Sequence, residues 1–182
     1  MLLKLYRIHS TLIEHPDFTA RLKKRTDEIF SYFSFGNGDE EVVKKNLEFI
    51  AGTGYTLENI EKTDYIDCCP PLLFSKKFVE RIGDELNKEM QFIPCKLLCQ
   101  GVVLDWYAAR IVRDFPILDK EMTTYSIVSS GQKVVRIPKY RHDIQEKFFI
   151  ARDEEYIPYW VVSELFMDLC NENGLAIEFC EV

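Results

Sequence analysis

The C-terminal segment 159–182 constrains the fold most, because it carries signals for a strand, a capped helix and a second strand in succession. Ser163 can accept a hydrogen bond from an unpaired backbone N–H at the start of a helix. Gly174 predicts the left-handed turn that ends this helix. Beyond it, Ile177 and Phe179 alternate with polar residues, which predicts a final strand. Between serine and glycine, apolar residues at helical spacing predict one buried face, formed by Leu165, Phe166, Leu169 and Cys170.

A less regular copy of this pattern lies in the segment 72–95. Ser75 is placed to cap a helix over residues 75–88 whose apolar stripe includes Phe78 and Ile82. Ser75 precedes Phe92 by 17 residues, and Ser163 precedes its late phenylalanine by 16. The first helix is longer and lacks the closing glycine. The pattern predicts two versions of one strand–helix–strand unit.

The remaining strands are predicted from runs rich in β-branched and aromatic residues. Ser130-Gly131 lies between two of these runs and predicts a tight hairpin turn. Because strands and helices come in blocks, we expect one α+β domain over residues 1–182, with serine-capped helices packed on a mainly antiparallel sheet. The expected strands are Leu2–Ile8, Gln91–Cys99, Val102–Val112, Thr123–Val128, Lys133–Pro138 and Lys147–Arg152.

The first 63 residues contain weaker signals. His15-Pro16 predicts a helix start, followed by a stripe at Phe18, Leu22, Ile29, Phe30 and Phe33. Asp39 is placed to cap a second helix that carries Val43, Leu47 and Ile50 and ends near Gly52. Segment 55–67 is expected to form a short strand and a loop.

Composition narrows the classes of partner. The chain is 47% hydrophobic with a net charge of −7 and a pI near 5.1, whereas nucleic-acid binding usually leaves a basic surface. The acidic balance permits a basic protein partner. No apolar run approaches the ~18 residues of a membrane span, so we expect a cytosolic protein that binds neither nucleic acid nor membrane. Its six cysteines are then expected to be reduced.

No motif with catalytic or cofactor-binding spacing is present. Gly36-Asn-Gly38 and Gly52-Thr-Gly54 lack the lysine and strand–helix context of a phosphate loop. Cys95 and Cys99 have no ligand pattern around them and are interpreted as buried apolar residues. We therefore expect no catalytic, cofactor-binding or metal-binding residues, and no cofactor. A small enzyme with a Cys/His or carboxylate site remains an alternative, because such partners can meet in space alone.

Segment 105–114 is rich in Trp, Tyr, Arg and Asp. Polar residues at the ends of both strand faces predict an edge strand or a half-buried strand. Carboxylates such as Asp105, Asp114 and Asp119 could act in pairs as acid and base. Ion pairing with Arg110 or Arg113 is the interpretation we favour.

Together these features resemble the bacterial immunity proteins of polymorphic toxin systems, specifically a family first catalogued as a domain of unknown function. The resemblance covers residues 64–182 and implies an α+β protein that binds and neutralises a cognate toxin without catalysis. The residues that carry it are Pro71–Ser75, Met90–Pro94, Asp114–Asp119, Phe149–Arg152 and Val162–Phe179.

The partner implied by this resemblance is a toxin protein, and the net charge predicts a basic one. Two acidic triplets next to a turn or a strand end are the predicted contact residues: Asp39, Glu40 and Glu41, and Asp153, Glu154 and Glu155. Opposite charge on the partner would accelerate association. A structural or regulatory dimerisation module is the remaining alternative, and homo-oligomer formation stays open.

Overall fold

The computed structural model describes residues 2–11, 17–45, 47–68 and 70–182. The expected start of a helix at His15-Pro16 lies outside these residues. Within them, the α+β class with mainly antiparallel sheets is confirmed. The helices are Asp27–Phe35 (α1), Glu40–Lys44 (α2), Leu57–Ile60 (α3), Lys76–Ile82 (α4) and Glu164–Glu172 (α5).

Twelve strands in the described residues form three sheets. Their bounds are Leu5–His9 (β1), Ala20–Leu22 (β2), Glu48–Ala51 (β3), Tyr65–Ile66 (β4), Leu72–Ser75 (β5), Met90–Cys99 (β6), Val102–Ile111 (β7), Thr124–Ile127 (β8), Lys133–Ile137 (β9), Ile150–Arg152 (β10), Trp160–Ser163 (β11) and Glu178–Glu181 (β12). The strand orders are β2-β3-β6-β7-β5-β4, β10-β11-β1-β12 and β8-β9. All pairs are antiparallel except β3 with β6. The single sheet expected from the sequence is therefore wrong.

The two predicted strand–helix–strand units have the same topology. The first is ordered β4-β5-β7-β6 and the second β10-β11-β1-β12. In each unit, the strand before the serine and the strand after the helix both pair antiparallel with one central strand. That central strand is β7 in the first unit, and in the second it is β1 from the N-terminal part of the chain.

The registers of the two units also match. In both units, the central-strand residue that pairs with the late phenylalanine lies three positions after the one that pairs with the cap serine. Both serine caps are confirmed, since their side chains accept from the first turns of α4 and α5. The matching pairs are Ser75–Trp106 with Ser163–Leu5, and Phe92–Ala109 with Phe179–Ile8.

The six-stranded and the four-stranded sheet face each other across a core that contains α4 and α5. Alternate strand residues supply this core, and Phe78 of α4 packs beside Phe166 of α5 with 6.0 Å between ring centres. The residues between these alternate ones on each strand point to the other face of the sheet. On that face, Leu73 packs with α1 and α2 in the first sheet, and Val161 packs with segment 115–148 in the second. The six-stranded and four-stranded sheets are thus each covered on both faces.

Buried carboxylates join the units. Glu89, just before β6, accepts from the backbone N–H groups of Phe149 (2.7 Å) and Ile150 (2.8 Å) and from Arg113 (3.0 Å). Asp64 accepts from the backbone of Ala176 at 2.7 Å, and also from the hydroxyl of the first serine cap. Both carboxylates are buried, so each replaces lost water with several hydrogen bonds.

The N-terminal predictions need correction. The stripe at Phe18 and Leu22 does not belong to a helix, because residues 20–22 pair with β3 and regular helix begins at Asp27. Asp39 caps a helix as expected, but that helix ends at Lys44, and Leu47 lies directly before β3 whereas Ile50 lies within it. Segment 55–67 contains α3 as well as a strand. α4 ends at Ile82, before the expected residue 88.

Of the two expected alternatives for β7, the edge strand is wrong, whereas a half-buried strand agrees with the structure. Strand β7 pairs with β6 along its whole length and with β5 at residues 106–109, and it buries Trp106 and Ala108. The expected ion pairs of Asp105 and Asp114 with Arg110 or Arg113 are also wrong, because these aspartates pair with Lys96 and Arg152. Arg113 contacts Glu89 and Glu146, while Arg110 lies over the ring of Tyr32 at 4.7 Å.

Candidate functional site

The second acidic triplet is largely structural. Asp153 is 1% exposed, so the expectation that its carboxylate is a surface contact is wrong. One oxygen accepts from the backbone N–H groups of Ile117 and Leu118 at 3.2 and 3.0 Å. The other accepts from those of Glu155 and Tyr156 at 3.1 and 2.9 Å. The carboxylate therefore organises two loops.

The two other members of this triplet are exposed. Glu155 pairs with Lys120 at 2.8 Å, and this contact lowers the pKa of its carboxyl group. Glu154 has no ion pair among the described residues. Only Glu154 therefore remains as an unpaired surface charge at this position.

The first acidic triplet begins helix α2. Asp39 accepts from the backbone N–H of Glu41 at 2.9 Å as the N-cap. Glu40 pairs with Lys44 at 2.7 Å, and also accepts from the Tyr32 hydroxyl at 3.0 Å. The contacts with Lys44 and Tyr32 lower the pKa of the Glu40 carboxyl group. Asp39 and Glu41 remain exposed, and Glu40 is half-buried.

Around this triplet lies a surface rich in acidic residues. At its two ends, Lys44 pairs with Glu41 at 3.0 Å and Arg25 lies over the Phe30 ring at 5.5 Å. Segment 26–43 contains five acidic residues and no lysine or arginine. Asp27 and Glu28 are exposed in the first turn of α1. Phe30 and Phe35 are 36% and 52% exposed, with their rings in edge contact at 6.1 Å. We call residues 26–43 the acidic helical surface.

A pocket of about 170 Å³ opens beside this surface. It lies where α1 meets the first residues of β5 and β11. Leu72 and Trp160 each stand three residues before their cap serine, so equivalent positions of the two units face one pocket. The apolar residues that line it include Phe30, Phe33, Phe35, Leu72, Ile111 and Trp160.

Two arginines line this apolar pocket. Arg152 donates from Nε to Asp114 at 2.5 Å and from Nη1 to the carbonyl of Ser34 at 2.7 Å. Arg110 donates from Nη1 to the carbonyl of Tyr32 at 3.4 Å. Both carbonyls belong to the C-terminal turn of α1, where positive charge is favourable.

Arg110 approaches the end of α1 closely because residue 36 is glycine. Gly36 adopts φ +75° as the left-handed C-cap of α1. A Cβ atom at this position would lie 2.8 Å from Nη1 of Arg110. The Tyr32 hydroxyl beneath the guanidinium donates to Glu40, and burial together with Glu40 raises the pKa of Tyr32. The pocket and the acidic helical surface are thus joined by hydrogen bonds.

Three of the five cysteines in the described chain are poorly placed for chemistry. Cys95, Cys99 and Cys170 are buried, as expected for the first two. Burial raises the pKa of Cys95 to about 12 and also raises the pKa of Cys99 and Cys170. These thiols are protonated at neutral pH, and the thiolate is the reactive form. Cys180 is exposed, at the C-terminal edge of the sheet.

The candidate carboxylates do not form acid–base pairs. Asp105 contacts Lys96 at 2.5 Å, and Asp114 contacts Arg152. Asp119 accepts from the backbone N–H groups of residues 121 and 122. In the described part of the chain, no three His, Cys, Asp or Glu side chains form a group that could hold a metal ion. None of the helices described is long and apolar enough to cross a membrane.

A second exposed apolar region lies on the hairpin β8-β9. Ile127 and Ile137 are 76% and 54% exposed. The charged residues of the hairpin strands are Lys133 and Arg136, so this region is locally basic. A basic partner would therefore be attracted to the acidic helical surface and not to the hairpin.

Comparison with protein-family models and with curated proteins finds no match for this chain.

Proposed function

We propose that this protein is a non-enzymatic immunity protein that binds a basic toxin through the acidic helical surface and neutralises it. The observation that carries the proposal is that segment 26–43 contains both five acidic residues and two exposed phenylalanines. The resemblance of residues 64–182 to immunity proteins supplies the identity of the partner. The proposal places the interface mainly outside the region of resemblance.

The composition of this surface suits a protein interface. Aromatic residues are enriched at the centres of such interfaces, where polar residues form the rim. Phe30 and Phe35 are adjacent and exposed, and Asp27, Glu28 and Glu41 are exposed in the same segment. Opposite charge on a partner raises the association rate by about 10–1,000-fold at low salt. The acidic residues would therefore govern association, and the phenylalanines the lifetime of the complex.

The contacts of the candidate catalytic groups support binding over catalysis. A cysteine enzyme needs an accessible thiolate, whereas three of the cysteines are buried with raised pKa values. An acid–base pair needs carboxylates that can exchange protons, whereas the candidates are engaged by lysine, arginine or backbone N–H groups.

The test starts with co-expression of this protein and any candidate toxin that is encoded by a neighbouring gene. We expect growth to be restored by the wild type. Binding kinetics are then measured for two variants of equal net charge change. Glu28→Lys/Glu41→Lys reverses two exposed charges of the acidic helical surface, and Glu154→Lys/Glu172→Lys reverses two exposed charges elsewhere.

We expect the first variant to slow association by about tenfold or more at low salt, and the second to have little effect. Phe35→Ala should accelerate dissociation with little change in the association rate. Lack of protection by the wild type would refute the immunity function. Protection with equal association rates for both charge variants would refute the proposed surface. Self-association abolished by Phe35→Ala, without protection, would favour the dimerisation module.

A further inference from the structure

We propose that the pocket between α1, β5 and β11 is a binding site for a small monocarboxylate that carries one ring-sized apolar group. The proposal does not require toxin binding, although Phe30 and Phe35 belong both to the pocket and to the acidic helical surface, and it rests on three features of the pocket. These are its size, its apolar walls and the unused hydrogen-bond donors of its two arginines.

The size of the pocket limits the ligand. A cavity of about 150 Å³ holds one benzene ring, and this pocket measures about 170 Å³. The walls contributed by Leu72, Ile111 and Trp160 favour an aromatic or branched aliphatic group. The pocket is too small to enclose an apolar group much larger than one ring.

The arginines determine the charge of the ligand. Among the described residues, Arg110 makes a single hydrogen bond, at 3.4 Å, and has no ion pair with a carboxylate. Its Nε is buried and has no hydrogen-bond partner in the part of the chain that the structure describes. Arg152 uses Nε and Nη1, which leaves its Nη2 without a hydrogen bond among the described residues. A carboxylate is the planar anion that guanidinium groups bind best.

The ends of α1 and β10 hold both arginines in place. Arg152 is anchored by Asp114 and by the carbonyl of Ser34, and its side chain is 12% exposed. Arg110 is stacked on Tyr32 and packed against Gly36. Positive groups fixed before binding lose little conformational entropy when an anion arrives. They also stand in an apolar environment, where charge interactions are stronger than in water.

The experiment uses the full chain with 4-fluorophenylacetate as the probe, observed by ¹⁹F NMR. We expect saturable binding with a Kd on the order of 1 mM, which is typical of a ligand of this size. The amide 4-fluorophenylacetamide has the same shape without the charge and should bind about tenfold more weakly. Acetate at the same concentration should not displace the probe, because it lacks the apolar group.

Three variants locate the site. Arg110→Gln should weaken binding of the probe by about tenfold, whereas Arg136→Gln on the hairpin should not change it. Since Arg110 also contacts the end of α1, Ser34→Phe provides a variant that keeps both arginines while filling the pocket. We expect Ser34→Phe to abolish binding and Ser31→Phe, on the same helix, to retain it. Unfolding in urea identifies any variant that is not folded.

Equal binding of the acid and the amide would overturn the proposal, as would unchanged binding in Ser34→Phe. Absence of saturable binding by the wild type would also overturn it. A peptide ending in phenylalanine that binds while the free acid does not would assign the pocket to a protein partner instead. None of these results depends on protection against a toxin, so this proposal and the proposed function can fail separately.

Discussion

Replacing Asp153 by asparagine should destabilise the protein far more than the same change at Asp39. Both aspartates were predicted from the sequence to be surface contacts, but the structure gives them different environments. Asp39 is exposed and accepts one hydrogen bond as a helix N-cap. Asp153 is 1% exposed and accepts four. The substitution removes one charge in both cases and hardly changes the volume of the side chain.

The magnitude follows from the four donors. Asparagine keeps one acceptor oxygen, so two backbone N–H groups would face its NH₂ group. The oxygen is expected to serve Ile117 and Leu118, which are buried, and to leave the loop at residues 155–156 to water. Hydrogen bonds to a charged group contribute about 1.5–3 kcal/mol each, and less where water replaces them. We therefore expect Asp153→Asn to lower the free energy of unfolding by about 2–4 kcal/mol.

The control should be nearly neutral, because asparagine and aspartate are about equally good N-caps. The measurement is urea unfolding at neutral pH, followed by circular dichroism, with both variants and the wild type fitted to a common slope. A loss below about 1 kcal/mol at Asp153 would contradict the four-bond arrangement, since fewer bonds would then depend on the second oxygen. An equal loss at Asp39 would show that charge removal alone is responsible.

Three further results are expected. Glu89→Gln should cost about 1–3 kcal/mol in urea unfolding, because its carboxylate serves two backbone amides and an arginine at once; an unchanged midpoint would contradict this. Burial raises the pKa of Tyr55 to about 12. As the pH rises, the unfolded state therefore loses this proton at a lower pH than the folded state, and the free energy of unfolding should fall between about pH 10 and 12. Tyr55→Phe should remove that part of the pH dependence, and an unchanged difference curve would refute it. The backbone N–H of Val182 donates to the carbonyl of Leu5 at 3.1 Å, so the C-terminal strand β12 lies close to the N-terminal strand β1. A circular permutant that links residues 182 and 1 through a short Gly/Ser linker and opens the chain at Gly131 should therefore still unfold cooperatively, because exposed turns tolerate new chain ends. A molten product would argue against the pairing of β12 with β1.

The parts of the fold that sequence predicted best are those controlled by local interactions. Ser75 and Ser163 cap their helices through side-chain bonds that span only two or three residues. Gly174 adopts φ +59° as expected after a helix. The hairpin at Ser130-Gly131 also lies between its predicted strands. Such signals depend on few residues, and distant packing rarely overrides them.

The errors lie where periodicity alone was used. Phe18 and Leu22 are four residues apart, which fits one face of a helix but also one face of a strand. So short an apolar segment does not distinguish a helix from a buried strand. The deciding interaction is the pairing of residues 20–22 with 49–51. Leu47 and Ile50 were misplaced for the same reason. Pairing partners far away in sequence cannot be identified from the pattern of one segment.

The candidate site was even less accessible from sequence. Arg110 reaches the carbonyl of Tyr32 across 78 positions, and Arg152 reaches that of Ser34 across 118. No local pattern indicates such contacts. Asp153 did offer a signal, because aspartate often bonds to the backbone two residues ahead in a turn. Its bond to the N–H of Glu155 is of that kind, whereas the buried half of its contacts was unpredictable.

The duplicated topology explains why the pocket lies between the units. Each unit places a strand, a serine cap and a helix in the same order, so the residues three positions before the serines begin equivalent strands. The two sheets face each other, which brings Leu72 and Trp160 to one cavity. Only the second unit borrows its central strand, β1, from the other end of the chain. The segment between β1 and the first unit carries α1 and α2, which pack on the outer face of the six-stranded sheet. The acidic helical surface and the pocket between α1, β5 and β11 therefore adjoin, because α1 contributes residues to both.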